Sequence, residues 1–216
     1  MKKVALIVAG GKGKRMNSEI PKQFLLLNNV PILMHTIKQF SHFEEIVLVL
    51  PKRQFDCWNK LCKNTNFNES HILVEGGKTR FQSVKNGLGK IDAGVIVAIH
   101  DGVRPLISET LINNLICETK DGIGIIPVVP IKDSIRKVEG KNSTHVNRSD
   151  LYKVQTPQCF FSSDIKEAYT QDFSDTFTDD ASVFESGGGE ITTIQGEERN
   201  LKITTEKDLK IAESLL

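Results

Sequence analysis

Six short runs are apolar at nearly every position and rich in β-branched residues: 4–9, 46–50, 71–74, 95–99, 123–129 and 191–194. Strands with one wet face alternate polar and apolar residues, so unbroken runs like these predict a sheet covered on both faces. Between them the period lengthens. Residues 31–40 bring Ile32, Leu33, Thr36, Ile37 and Phe40 onto one helical face, and residues 54–64 do the same with Phe55, Trp58, Leu61 and Cys62. Further helices are predicted at 79–88, 108–119, 164–169 and 206–216. Alternating strands and helices over 216 residues predict a single domain, 1–216, with a three-layer, Rossmann-like α/β fold and a mostly parallel central sheet.

One stretch breaks the alternation. Residues 132–155 are polar and turn-rich, with no helical stripe to face a core. Within it, 134–138 and 144–146 can pair across Gly140-Lys141-Asn142 as a protruding β-hairpin arm. Two strands alone cannot bury themselves, so the arm predicts a partner subunit, most simply in a symmetric homodimer.

Composition narrows the function by exclusion. Lys plus Arg is 28 and Asp plus Glu is 27, a net charge of +1 that argues against a nucleic-acid binder. No apolar run approaches the ~20 residues of a membrane span. The opening MKKVALIVAGGKGKRM imitates an export signal, but its apolar part is too short for one, which predicts the first strand of a cytoplasmic protein. Cys57, Cys62, Cys117 and Cys159 form no C-x-x-C pair and stand at no metal-ligand spacing from the five histidines, so they read as thiols of a reducing compartment.

The chemistry collects where the apolar runs end. After the first comes Ala9-Gly10-Gly11-Lys12-Gly13-Lys14-Arg15-Met16, then Pro21-Lys22-Gln23. Glycines let backbone N–H groups approach phosphate oxygens, and Arg15 and Lys22 can neutralise them; a tight turn with solvated bases is the plainer alternative. Neither G-x-G-x-x-G nor G-x-x-x-x-G-K-[ST] is present, which disfavours a dehydrogenase and a P-loop enzyme. Gly76-Gly77-Lys78-Thr79-Arg80-Phe81-Gln82-Ser83 follows the third run and offers backbone, Arg80 and Ser83 to a nucleotide. His100-Asp101-Gly102-Val103-Arg104-Pro105 follows the fourth, with Asp101 and Arg104 suited either to hydroxyl and phosphate binding or to a structural ion pair. In Asn200-Leu201-Lys202-Ile203-Thr204, alternation turns Lys202 away from its apolar neighbours, as a site base or a solvated edge. G-x-S-x-G is absent, and bases with backbone donors suit phosphoryl or nucleotidyl transfer, where catalysis is positioning and charge stabilisation. Without a D-x-D pair, a divalent cation such as Mg²⁺ would be held mainly by substrate phosphates, with no protein metal site.

Taken in order, A-G-G-K-G-K-R-M, P-K-Q, G-G-x-x-R-x-x-S-V, H-D-G-V-R-P, Q-T-P-Q, T-D-D-A-S and N-L-K-I-T-T span positions 9 to 205. The set closely resembles the 2-C-methyl-D-erythritol 4-phosphate cytidylyltransferase family of nucleotidyltransferases, CTP-using enzymes of the non-mevalonate isoprenoid pathway. The resemblance implies CTP and 2-C-methyl-D-erythritol 4-phosphate as substrates, with pyrophosphate released. It implies that Arg15, Lys22 and Lys202 act on the CTP phosphates and that Ala9, Gly10, Gly11, Gly76 and Ser83 form the cytidine pocket. On the acceptor side it implies Asp101, Arg104, Ser134, Thr156 and Thr178, with Arg148 of the arm reaching a neighbouring subunit's site. Ser134 stands where Thr is usual. Asp101-Gly102-Val103-Arg104 departs from the common D-A-A-R toward the D-S-V-R of ribitol 5-phosphate cytidylyltransferases, whereas Arg148 keeps the methylerythritol pattern. A ribitol phosphate acceptor is therefore the alternative enzyme, and a non-catalytic nucleotide-binding protein on the same fold the alternative outside enzymes.

Overall fold

In the computed structural model, which describes residues 1–10 and 20–216, the first run forms β1 (Lys3–Val8). A tight hairpin of β2 (Leu26–Leu27) and β3 (Val30–Pro31) follows, then α1 (Ile32–Lys38), β4 (Glu45–Leu50), α2 (Phe55–Thr65), β5 (Ile72–Glu75), α3 (Arg80–Leu88) and β6 (Ile96–Asp101). The second half runs through α4 (Glu109–Glu118), β7 (Ile123–Pro130), the hairpin β8 (Ile135–Glu139) and β9 (Asn142–Val146), β10 (Tyr152–Val154) and β11 (Gln158–Phe161). It closes with α5 (Ser162–Ala168), α6 (Asp180–Ser186), β12 (Glu190–Gln195) and α7 (Glu206–Leu215). All six apolar runs are strands.

Among the described residues the main sheet has eight strands. β1 lies between β4 and β6, parallel to both, and β5 extends that edge in parallel beside β4. β11 runs antiparallel to both β6 and β7, and β12 is parallel to β7. Parallel strands dominate because helical crossovers connect them; β11 arrives from the arm instead and enters in the opposite sense.

Alternate residues of one strand feed opposite layers. Ala5 and Ile7 of β1 pack with Leu33, Leu48, Trp58 and Ile112 on the α1, α2 and α4 side. Val4 and Leu6 pack with Val49, Val84, Val97 and Phe160 on the α3, α5 and α6 side. Both faces are covered, which is why the strands carry no polar alternation.

The polar stretch 132–155 holds two things. β8 and β9 form their own two-stranded sheet, with Glu139 opposite Asn142 across Gly140-Lys141. Gly140 has φ +61, as a two-residue hairpin with Gly at its first turn position requires. Their side chains are almost all exposed in this chain. β10, by contrast, returns to the main sheet and pairs with β7. The freestanding hairpin is therefore shorter than the stretch that the polarity marks.

Several short elements escaped the pattern, β11 and α6 among them. β11 is a four-residue strand running straight into a helix, too short to show a period. α6 has seven residues and is opened by a capping box: Asp179 accepts from the Ser182 backbone, and Ser182 Oγ accepts from the Asp179 backbone. That box lies inside T-D-D-A-S, where carboxylates read as chemistry rather than as a helix start.

Candidate active site

Because β1, β4, β5 and β6 run parallel, their carboxyl ends share one edge of the sheet, the position where open α/β sheets bind ligands. A cavity of about 720 Å³ opens there. Ala9 and Gly10 enter it from the end of β1, Pro51 and Arg53 from beyond β4, Gly77, Lys78 and Thr79 from beyond β5, and Asp101 from β6. Lys22 and Gln23 reach it from a 3₁₀ turn, and Lys202 from the segment before α7. Ser83 and Arg80 complete the wall from the first turns of α3.

Asp101 is the hub. Its Oδ2 accepts from Lys202 Nζ at 3.0 Å and from Arg104 Nε at 3.2 Å, and Arg80 Nε stands 4.0 Å from Oδ1. Burial pushes the Asp101 carboxyl up, but Lys202, Arg80 and Arg104 outweigh it and hold the group well below the ordinary carboxylate range. The side chain is ionised at any physiological pH. Arg104 is further committed, its Nη1 donating to the Asn200 carbonyl at 2.8 Å. Asp101 and Arg104 are thus an internal ion pair, of which Asp101 lines the cavity and Arg104 stands buried behind it.

Arg80 has two masters. Its guanidinium forms a bidentate pair with the fully buried Asp180 at the start of α6, Nη1 to Oδ1 at 2.7 Å and Nη2 to Oδ2 at 2.6 Å. Tyr169 Oη donates to the same Oδ1 at 2.7 Å. Burial alone would lower the Arg80 pKa, but Asp180 and Asp101 raise it. Asp180 was not singled out from the sequence, although it stands inside the T-D-D-A-S motif.

Under the hub, His100 is fully buried. Its Nε2 lies 3.1 Å from the Arg104 carbonyl and its Nδ1 3.1 Å from Thr156 Oγ1. A carbonyl only accepts, so Nε2 carries the proton and Nδ1 accepts from the Thr156 hydroxyl. Thr156 Oγ1 in turn accepts from the Asp101 backbone N–H at 3.0 Å. Burial pushes His100 down to about 4, so it stays neutral at pH 7. Thr156 therefore supports Asp101 from behind and does not line the cavity.

The glycines answer to close packing. A Cβ at Gly102 would lie 2.8 Å from Ala9 Cβ and 3.0 Å from Leu33 Cδ1, and one at Gly77 would strike Gln82 Cγ at 2.1 Å. Gly10 has room, with Ser83 Oγ 3.7 Å from such a Cβ. Ser83 Oγ accepts from the Gly77 N–H at 3.0 Å and donates to the Thr79 carbonyl at 2.8 Å, which fixes the turn from β5 into α3. Gly76, beside it, donates its N–H to the Leu50 carbonyl. The middle of Asp101-Gly102-Val103-Arg104 is set by this packing: Val103 is buried against Ile203, whose N–H bonds to the Val103 carbonyl.

The remaining predicted residues fall elsewhere. Ser134 is exposed just before the hairpin, and Thr178 is exposed before α6, its N–H donating to Ser182 Oγ. Arg148 is exposed at the base of the hairpin, where its Nη1 donates to the Lys132 carbonyl, and it is not part of this cavity wall. Lys202 lies in extended chain that pairs with no strand, yet alternation placed it correctly: Ile203 is buried and Lys202 is half-exposed. Gly11 and Arg15 lie outside the described residues. Sequence reasoning passed over Arg53, Lys78 and Gln23; each sits within or just beyond the end of a strand or quoted motif, the one positional signal that could have found them. Among the described residues no group of three or more His, Cys, Asp or Glu side chains could hold a metal ion, and no helix is long and apolar enough to cross a membrane.

Comparison with known proteins gives one answer. Residues 3–216 match the sequence profile of the family described as IspD, 2-C-methyl-D-erythritol 4-phosphate cytidylyltransferase. A protein of that name from Azobacteroides pseudotrichonymphae is 49% identical over 218 residues, covering 99% of this chain and 98% of its own. Another from Bacteroides fragilis is 46% identical over the whole of both chains. The crystal structure of the Francisella tularensis 2-C-methyl-D-erythritol 4-phosphate cytidylyltransferase superposes with a TM-score of 0.84 at 28% identity, covering 100% of each chain.

Proposed function

Since the chain belongs to the 2-C-methyl-D-erythritol 4-phosphate cytidylyltransferase family, we infer that it transfers CMP from CTP to the phosphate of 2-C-methyl-D-erythritol 4-phosphate. The products are 4-diphosphocytidyl-2-C-methyl-D-erythritol and pyrophosphate, in isoprenoid precursor synthesis. The observation that carries this reading to the site is the charge of the cavity: Lys22, Arg53, Lys78, Arg80 and Lys202 against the single carboxylate Asp101 among its described lining residues. Such a wall suits two anionic substrates that repel each other.

The chemistry needs little else. An oxygen of the acceptor's phosphate attacks the α-phosphorus of CTP, and the bond from that phosphorus to the bridging oxygen breaks, its electron pair leaving with pyrophosphate. The attacking oxygen is already ionised, so no general base is required. Lys22 and Lys202 would stabilise charge on the phosphates in the transition state, a role that the family resemblance extends to Arg15. Gly10 and the Gly76–Ser83 turn would receive the cytidine. Asp101 and Arg104 would face the acceptor.

Both oxygens of Asp101 already face cations, so the described lining residues offer a divalent cation one shared carboxylate at most. That donor set fits Mg²⁺ carried mainly by the substrate phosphates, with Asp101 the side chain that could touch it. When bound, Mg²⁺ would neutralise the departing pyrophosphate.

Ser134 and Arg148, set at the hairpin and away from this chain's cavity, fit an acceptor site completed by the arm of a second subunit, and hence a homodimer built through 132–155. The exposed Val138, Tyr152 and Val154 support an interface there. Four free thiols fit a cytoplasmic enzyme. The direct test of the site is Lys22→Ala: turnover should fall on the order of 10²-fold, the scale of losing an oxyanion donor. Near-normal pyrophosphate release by that variant would remove Lys22 from the mechanism.

A further inference from the structure

Gln23 follows Lys22 on the same 3₁₀ turn, Lys22–Phe24, and only 1% of it is exposed. Its Nε2 donates twice, to the Ala9 carbonyl at 2.8 Å and to Gln54 Oε1 at 2.7 Å. The Ala9 carbonyl can only accept, which fixes the amide nitrogen toward the end of β1. The oxygen, Oε1, is then left buried with no hydrogen-bond partner. A buried orphan acceptor costs stability, so folding alone does not favour a glutamine here. What the side chain does accomplish is geometric. It joins three pieces of the cavity wall: Ala9, the first residue after β1, the turn that carries Lys22, and the turn beyond β4 that carries Arg53 and Gln54.

Phe24 anchors the same turn in another direction. It stacks on Trp58 of α2 with ring centroids 6.0 Å apart, which holds the turn against the helical layer. We propose that Gln23 is a positioning residue, which through its double donation to Ala9 and Gln54 sets Lys22 at the correct distance from the α-phosphate bound at the end of β1. The proposal rests on Lys22 acting as described above.

Because Gln23 acts through Lys22, its effect should disappear when Lys22 is gone, whereas a merely structural role would persist. Pyrophosphate release is measured for Gln23→Ala, Lys22→Ala, the double variant and the wild type, with the thermal melting of each. Gln23→Ala should lower kcat by roughly 10- to 100-fold while changing the KM for CTP by less than about 3-fold, since sub-ångström misplacement costs rate before binding. In the Lys22→Ala background the same change should cost less than about 2-fold. Gln54→Ala, which removes one acceptor and leaves the bond to Ala9, should act in the same direction more weakly, and it carries the test if Gln23→Ala does not fold. Full multiplicative loss in the double variant, or unchanged kcat in both single glutamine variants, would overturn the proposal while leaving Lys22 in place. Normal turnover by Lys22→Ala alone would overturn the site reading and this one with it.

Discussion

His100 shows how one side chain couples the site to pH. It is neutral, fully buried, and linked through Thr156 to the Asp101 backbone and through the Arg104 carbonyl to the ion pair above. Its folded pKa of about 4 lies below the ordinary value of 6.5, so between those values the unfolded chain binds a proton that the folded chain refuses. Stability is therefore full above pH 6.5 and declines as pH falls toward 4, by about 3 kcal/mol for a shift of this size. Asp101, held low by its three cations, adds loss only below the ordinary carboxylate range. Denaturant unfolding at pH 7.5 and 5 should differ in the wild type and differ much less in His100→Asn; an equal pH dependence in both would remove His100 as the cause. Residue identities near the site were legible because glycine, lysine and carboxylate stand at strand ends. Their partners were not. Arg80 reads as a ligand for nucleotide, and nothing in the linear order reveals that Asp180, one hundred positions away, holds both its terminal nitrogens.

At the scale of elements, that Arg80–Asp180 pair ties the start of α3 to the start of α6. α6 is too short to be held by its own hydrogen bonds, and it carries Thr178 and Asp179 at its entrance. Asp180→Asn keeps the shape but leaves the guanidinium without its principal counter-charge. Removing one partner of a buried pair should cost on the order of 3 kcal/mol, read as a lower urea midpoint with an unchanged slope. A change below about 1 kcal/mol would mean that water reaches Arg80 and screens it. The long elements were legible from period alone, since six apolar runs and six amphipathic segments became strands and helices. β11 and α6 were not, because four and seven residues give too few repeats for a period to emerge from the composition.

At the scale of the whole molecule the arm bears on assembly. The hairpin of β8 and β9 exposes nearly every side chain in one chain, including Val138 at 67%, and it gains nothing by standing in water. If it completes a second subunit's site, Arg148→Ala should raise the KM for the acceptor more than the KM for CTP. Equal increases in both would place Arg148 outside the acceptor site. Replacing residues 135–146 by a short turn should convert a dimer to a monomer in light scattering while the main sheet still unfolds cooperatively; a dimer that survives the deletion would put the interface elsewhere. The near-zero net charge argues against a nucleic-acid surface, yet the same total conceals a cavity with five cations and one carboxylate among its described lining residues. Charge balance belongs to the chain, and function here belongs to its distribution.

The acceptor decides the account. Of the two residues that lean toward the ribitol pattern, Gly102 is set by its packing against Ala9 and Leu33, while Val103 packs with Ile203 and also lines the cavity. Pyrophosphate release with CTP and Mg²⁺, measured side by side for 2-C-methyl-D-erythritol 4-phosphate and ribitol 5-phosphate, should show kcat/KM at least ~100-fold higher for the methylerythritol substrate, about 2.7 kcal/mol of discrimination. Equal or greater kcat/KM with ribitol 5-phosphate, or CTP binding with no pyrophosphate from either, would contradict it.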